Sequence, residues 1–350
     1  MIRKSQMNIS YSNQGKLNTL DNLFIESKRV INEYINIFWE EKDFKSKYAT
    51  QKVETWLSAR MLQNLGKQAL EIVKSQRKKH KKTKPVFNKE TIEFDSRFTN
   101  FQFDNNSFDV WIKLSSIGDK ISLKLPSKKH KHFHSYDSWK LKESCKLRKK
   151  NGKYFIDFYF ESDSPEIKTE GKEIGLDCGY KKLLISSDNN LYDTGLQPVY
   201  EKISRKKQGS KRFKKALVER DNKINESINL LNFDELKTIV VEDLKDVKKD
   251  SKGKIRKSFN NKLQRWSYSK VLNRLALHCE ENGIAYRKVN PAYTSQTCSK
   301  CGFIHKDNRN GEQFLCLNCG YKTDADFNAA VNILHRGIYS SSTFKNKNNC

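Results

Sequence analysis

Two cysteine pairs, Cys298-Ser-Lys-Cys301-Gly and Cys316-Leu-Asn-Cys319-Gly, constrain this chain more than any other stretch of it. Four thiolates delivered as two such pairs, with residues 302–315 between them, fit tetrahedral closure around one zinc ion. Gly302 and Gly320 each follow the second cysteine of a pair, where a left-handed residue turns backbone amides towards the sulfurs. The pattern predicts a zinc ribbon holding one structural Zn2+. Two disulfides are the competing reading, and repeated Cys-x-x-Cys-Gly units in a chain without secretory features favour the metal. The other cysteines, Cys145, Cys178, Cys279 and Cys350, are scattered singly, as expected in a reducing compartment. The polar start MIRKSQMNIS does not read as a signal peptide, and no apolar run approaches the roughly 18 residues of a membrane helix. A cytoplasmic protein with no membrane partner is the expectation.

Charge narrows the partners. The 350 residues carry 68 Lys and Arg against 41 Asp and Glu, a net +27, which implies a polyanion whose condensed counterions are released on binding. Apolar residues at 36% and aromatics at 11% are enough for packed cores, and the length suits roughly two to three domains.

The periodicity changes along the chain. Leu17, Leu20, Phe24, Ile31, Ile35 and Phe38 recur with helical spacing, and Val53, Leu57, Met61, Leu65, Ala69 and Val73 repeat the signal, which predicts an α-helical hairpin. The second helix runs into a basic stretch, residues 74–84, stopped by Pro85; in a chain of this charge it reads as a phosphate-contacting stripe rather than a solvated helix tail. Ser58, Gln63 and Lys67 on that helix are candidate nucleic-acid contacts, against the alternative of an exposed polar face. From Ile92 to Glu161 the period switches to two, with strands at 108–114, 120–125 and 154–160 and a hairpin turn at Asn151-Gly152. A compact antiparallel sheet or small barrel follows, and Ser162-Asp-Ser-Pro165 reads as a linker.

Beyond it, Glu173-Ile-Gly-Leu-Asp177-Cys-Gly179 leads through Leu183-Leu-Ile-Ser to a turn at Asp188-Asn-Asn, a strand with an acid beside glycine entering a hairpin. A second strand, residues 237–242, is apolar until Glu242, and Asp326 opens the Ala-rich helix 328–334. Three acids from two strands and a helix can converge on one site. Phosphodiester hydrolysis needs two hard divalent cations roughly 4 Å apart, and magnesium prefers oxygen ligands, which is why the residues are acids. Asp243 and Asp324 compete for the roles. Asp243 should point to the other face of its strand, and Asp324 is one residue off the position that opens the helix. Two basic segments suit a nucleic-acid path: residues 200–215, with Arg205, Lys206, Lys211 and Arg212, and residues 245–257, which read as a lid over the site. Trp266 and Tyr268 beyond it are candidate base-stacking rings, with core packing the alternative for Trp266.

The segments Gly175-Leu-Asp177-Cys-Gly, Val240-Val-Glu242-Asp-Leu, Val289-Asn-Pro-Ala-Tyr-Thr-Ser-Gln-Thr-Cys298, Cys316-Leu-Asn-Cys-Gly and Asp324-Ala-Asp326-Phe-Asn-Ala-Ala together resemble, in order, the split RuvC motifs and inserted zinc ribbon of the TnpB family, transposon-encoded RNA-guided DNA nucleases ancestral to type V CRISPR effectors. The resemblance covers residues 171–337. It implies an α+β multidomain fold: a wedge-type β-barrel from residues 1–15 and 86–168, a helical recognition insertion at 16–85, an RNase H-like RuvC α/β nuclease domain at 169–292 and 323–337, the zinc ribbon at 293–322 and a tail at 338–350. It also implies Asp177, Glu242 and Asp326 as catalytic residues holding two Mg2+, and Cys298, Cys301, Cys316 and Cys319 as zinc ligands. The partners it implies are a structured guide RNA and double-stranded target DNA beside a short recognised motif, both strands being cut at the single site. Whether one or two copies serve a guide RNA is left open. The arginine common between the two acids of the last motif is Ala325 here, while the spacing of Asp326 and Asn328 is kept. A nuclease-inactive RNA-guided repressor would normally lack one of the acids, and none is missing. An RNase H-like transposase is the other alternative, and the cysteine insertion between the second and third acids argues against it.

Overall fold

The computed structural model describes residues 1–40, 53–79, 83–103, 107–244 and 267–339. The lid segment 245–257, Trp266, Cys350 and most of the C-terminal tail lie outside the described residues. The chain divides into two compact units, Met1–Asp163 and Ser164–Cys350. No helix among the described residues is long and apolar enough to cross a membrane.

In the first unit, β1 (Ile2–Asn8) is followed by α1 (Gln14–Glu40) and α2 (Ala59–Arg77), then β2 (Thr91–Phe94), β3 (Thr99–Phe103), β4 (Val110–Ser115), β5 (Ser122–Ser127), the single turn α3 (Lys131–His134), β6 (Lys140–Lys150) and β7 (Lys153–Glu161). The helices pack on each other through Leu20, Phe24, Ile31, Ile35 and Phe38 of α1 and Met61, Leu65, Ala69 and Val73 of α2, the apolar stripe the spacing predicts. Helical periodicity overreaches at one end. Val53 and Leu57 are buried but precede α2, because Ser58 caps it: the hydroxyl accepts from the amide of Met61 at 3.4 Å. At the other end Arg77 donates to the carbonyls of Phe38 and Trp39, tying α2 to the end of α1. Two antiparallel sheets follow, ordered β1-β7-β6-β2 and β3-β4-β5. The β6–β7 hairpin turns at Asn151 and Gly152, whose φ of 52° and 73° are the pair of left-handed positions that a two-residue Asn-Gly turn uses.

The second unit is built on one five-stranded sheet, ordered β10-β9-β8-β11-β12, where β8 is Lys172–Asp177, β9 Leu184–Ser186, β10 Leu191–Tyr192, β11 Leu236–Glu242 and β12 Ala285–Val289. The first three strands are antiparallel and the last two run parallel to β8. Three helices, α4 (Leu196–Ser204), α5 (Lys211–Ile228) and α6 (Tyr268–Glu281), bury Tyr200, Ile203, Ile224, Val271 and Leu275 in one core with β8 and β11. The hairpin β13 (Arg309–Asn310) and β14 (Gln313–Leu315) pairs with β15 (Lys322–Asp324), which feeds α7 (Ala325–Tyr339).

Helix α7 lies against β8 and β11 without a side-chain spacer. A Cβ on Gly175 of β8 would stand 2.2 Å from the carbonyl oxygen of Ala330, and one on Gly337 would stand 2.4 Å from a methyl of Val240. Glycine at both contacts, with Ala329 and Ala330 buried between them, lets the helix axis settle directly on the strands.

Candidate active site and cysteine cluster

Parallel pairing delivers the first two acids together. Val241 of β11 lies opposite Leu176 of β8, so the residues that follow, Glu242 and Asp177, leave the sheet side by side at one edge. The close seat of α7 brings its first turn to the same edge, and Asp177, Glu242 and Asp326 line a single cleft with Arg309, Lys182 and Thr294. Asp243 is exposed and its amide donates to the carbonyl of Val289, which leaves Glu242 as the acid turned into the cleft.

The acids crowd one another in the cleft. Burial, then the neighbouring carboxylates of Glu242 and Asp326, push Asp177 up to about 8. Burial also raises Glu242, against the hydrogen bond from the Thr294 hydroxyl and the charges of Arg336 and Arg309. Asp326 is hydrogen-bonded at one oxygen: Oδ1 accepts from the Arg309 guanidinium at 2.8 Å, whereas the Lys182 ammonium stands 3.9 Å from Oδ2, beyond hydrogen-bond distance. Asp324, the competing candidate, does other work. It caps α7, its Oδ1 accepting from the amides of Asp326 at 3.0 Å and Phe327 at 3.1 Å, while its Oδ2 takes the Lys182 ammonium at 2.7 Å. Burial alone would raise its pKa, but these donors outweigh burial and hold it below the usual carboxylate range. The helix thus opens at Ala325, with Asp324 as its cap; Asp326 is singled out by the cleft it lines and not by being the first helical residue.

The cysteine ligand atoms all lie within 4.8 Å of one another, Cys298 and Cys301 beside the Thr297–Ile304 bridge and Cys316 and Cys319 in the connection from β14 to β15. Gly302 and Gly320 have φ of 77° and 68°, and their amides donate to the carbonyls of Cys298 and Cys316, closing two matching knuckles. The Phe303 amide holds the Cys301 thiol down to about 6, although Cys298 and Cys319 are pushed up. Four thiol groups at this spacing are the donor set of a tetrahedral zinc site. Among the described residues no other group of cysteine, histidine or acid side chains meets this condition.

Buried asparagines join the knuckle to the acids. Asn328, fully buried on α7, accepts from the amide of Ser299 and donates to the carbonyl of Thr297, and Asn332 donates to the carbonyls of Thr294 and Thr297. The Thr294 hydroxyl in turn bonds Glu242. Sequence reasoning kept the Asp326–Asn328 spacing without finding this anchoring role, and it missed Arg309, Lys182 and Thr294 altogether. Only the Thr-Ser following Tyr293 within a quoted motif signalled Thr294; Arg309 stands in the spacer between the cysteine pairs with no signature of its own.

The nucleic-acid candidates fall out unevenly. Arg205, Lys211 and Arg212 are exposed and Lys206 half-buried; Arg205 caps the end of α4, Lys206 lies in the short connection 205–210, and Lys211 and Arg212 open α5. Gln63 and Lys67 are exposed on α2, whereas Ser58 is buried and spends its hydroxyl on the cap, which takes it off that face. Tyr268 is buried in the core and offers no stacking face.

Residues 268–333 match the family model described as Cas12f1-like, TNB domain. The chain is 47% identical over 72 residues to the CRISPR-associated endodeoxyribonuclease Cas12f1 of Sulfoacidibacillus thermotolerans, covering 20% of this chain and 17% of that one. It is 28% identical over 222 residues to the putative RNA-guided DNA endonuclease InsQ of Escherichia coli, covering 53% and 54%. A TnpB-like protein of Aquifex aeolicus is 37% identical over 97 residues, covering 27% and 31%. The chain thus spans from about a sixth to about half of the length of these relatives. Among solved structures, a cryo-EM structure of a Cas12f1-sgRNA-target DNA complex aligns with 78% of this chain and 70% of its own at 16% identity and a TM-score of 0.48.

Proposed function

We propose that the chain is a member of the TnpB family, which its matches to TnpB-like proteins and to RNA-guided endonucleases support, and that it is an RNA-guided DNA endonuclease, cutting both strands of a DNA duplex at one RuvC site beside a short recognised motif. The observation that carries the reading is the meeting of Asp177, Glu242 and Asp326 in one cleft at the C-terminal ends of the central strands β8 and β11 of a five-stranded sheet. An all-oxygen donor set of three acids fits hard divalent cations and excludes a thiolate-loving metal. Asp177, Glu242 and Asp326 would hold two Mg2+, whose chemistry there would be to activate a water and to stabilise the leaving oxygen.

The chain's own residues do the rest. Thr294 fixes the rotamer of Glu242 through its hydroxyl, and the Arg336 guanidinium, bonded to the carbonyls of Asn290 and Ala292, holds the loop that carries Thr294. Arg309 supplies, from the ribbon hairpin, a guanidinium beside Asp326 where negative charge gathers as a phosphodiester is attacked. The cysteine cluster would hold one structural Zn2+ and so fix the hairpin that carries Arg309. The exposed cations of α4 and α5 and the net +27 suit a nucleic-acid backbone, with base pairing to a guide supplying sequence specificity.

The test is the purified full chain with the RNA that copurifies with it, assayed in Mg2+ on a plasmid library with a randomised flank. Cutting confined to plasmids that are complementary to the guide and share one flank is the expected outcome. Cutting without RNA, or equal cutting of unrelated plasmids, would return the protein to an unguided RNase H-like nuclease or transposase class.

A further inference from the structure

The two oxygens of Asp326 are treated differently. Arg309 donates to Oδ1 at 2.8 Å, but the Lys182 ammonium stops 3.9 Å short of Oδ2. Asp324 stops it there: its Oδ2 keeps the same ammonium at 2.7 Å. Asp324 cannot drift towards the lysine, because its other oxygen is pinned to the amides of Asp326 and Phe327 at the start of α7. Lys182 arrives from the turn between β8 and β9, where its neighbour Lys181 is paired with Glu312 at 2.5 Å. A lysine ammonium is a point charge on a flexible four-carbon stem, so a gap of this size closes by small torsional changes once the competing acceptor is gone. Asp326 would then be neutralised on both oxygens. A divalent cation needs an anionic oxygen there.

We infer that Asp324 is a positioning residue that keeps Lys182 off Asp326 and so preserves one anionic oxygen of the acidic trio for a divalent cation. The inference rests on the reading of the cleft as a two-cation nuclease site. It also assigns a purpose to an acid that sequence alone sets in competition with Asp326: the pair is a holder and a ligand.

Mn2+ binding to the full-length, zinc-loaded chain tests this, followed by the electron paramagnetic resonance of free Mn2+, because Mn2+ prefers oxygen ligands to thiolates. Asp324→Asn keeps the cap acceptor and removes the charge. It should weaken Mn2+ binding by about 10-fold, in line with the loss of other partners that orient metal ligands. Adding Lys182→Met to Asp324→Asn should bring the affinity back to near that of the parent. A purely structural role for Asp324 would not be rescued this way, since the lysine takes no part in the cap. Asp324→Ser, alone and with Lys182→Met, repeats the comparison through a hydroxyl cap in case the asparagine variant fails to fold. Parent-like affinity in the folded single variants, or no recovery in the doubles, overturns the inference. Asp177→Ala separates the two levels: if it binds Mn2+ as the parent does, the nuclease-site reading fails with it; if it loses binding while Asp324→Asn does not, only the role of Asp324 and Lys182 falls.

Discussion

Replacing Gly175 by alanine probes how the third acid reaches the other two. The added methyl carbon would sit 2.2 Å from the carbonyl oxygen of Ala330 and 2.6 Å from the amide nitrogen of Leu334, both backbone atoms that cannot rotate away. Restoring ordinary contact requires α7 to retreat from β8 by about 1 Å. Forced expansion of a packed contact costs about 1–3 kcal/mol, which for a unit of this size lowers the melting temperature by roughly 2–12 °C. The chemical effect should exceed the thermal one, since a displacement of about 1 Å in a catalytic group can cost on the order of 10²-fold in rate. Calorimetry and single-turnover cleavage with saturating guide RNA would measure the two. Gly15→Ala is the control: its Cβ would find only a side-chain oxygen of Asn13, at 3.8 Å, and alanine favours the helix there. A Gly175→Ala protein with the parent's melting temperature and cleavage rate would refute the account of α7 as a helix seated directly on the strands.

Asp177→Ala, Glu242→Gln and Asp326→Asn should each abolish cleavage while guide and target binding persist, because affinity comes from Lys and Arg contacts to phosphate; normal cutting by Asp326→Asn in a plasmid assay would end its assignment. One zinc should copurify per chain, and Cys298→Ser or Cys316→Ser should destabilise the C-terminal unit; metal analysis that found iron, or less than about half an equivalent of zinc, would count against the thiolate site. In metal-free protein, Asp177 is raised on folding from 3.8 to about 8, so its contribution is complete below the unfolded value and disappears as pH climbs through about 8. The melting temperature should therefore fall across that window relative to Asp177→Asn, and Mg2+ should lift the upper end by binding the ionised form. Identical pH profiles for parent and Asp177→Asn would show that the carboxyl is not perturbed.

What the sequence made legible is what repeats locally. The cysteine spacing, the apolar strand ending in Glu242, the Asn151-Gly152 turn and the stripes of α1 and α2 all express themselves within a few residues, and the structure contains each of them. Boundaries were less legible: Val53 and Leu57 carry the helical spacing but pack from a non-helical lead-in, because a buried apolar residue reports the core it faces and not the backbone that presents it. Least visible were the groups defined by distant partners. Arg309 meets Asp326 only after the β13–β14 hairpin folds back, and Lys182 meets Asp324 across 142 positions of sequence. Asn328 and Asn332 look like polar interruptions in an Ala-rich helix until the carbonyls they serve are seen.

Those two asparagines make the thiolate knuckle and the acidic trio parts of a single closure. The backbone from Thr294 to Ser299 is shared: at one end its threonine steadies Glu242, in its middle it is stitched to α7, and at its far end it enters the first cysteine pair. With a metal closing the four cysteines, as proposed, a newly made chain that had not yet captured it would lack a settled frame for Glu242 and for the start of α7 at once. On the proposed reading, cutting would wait on closure of the cysteine cluster.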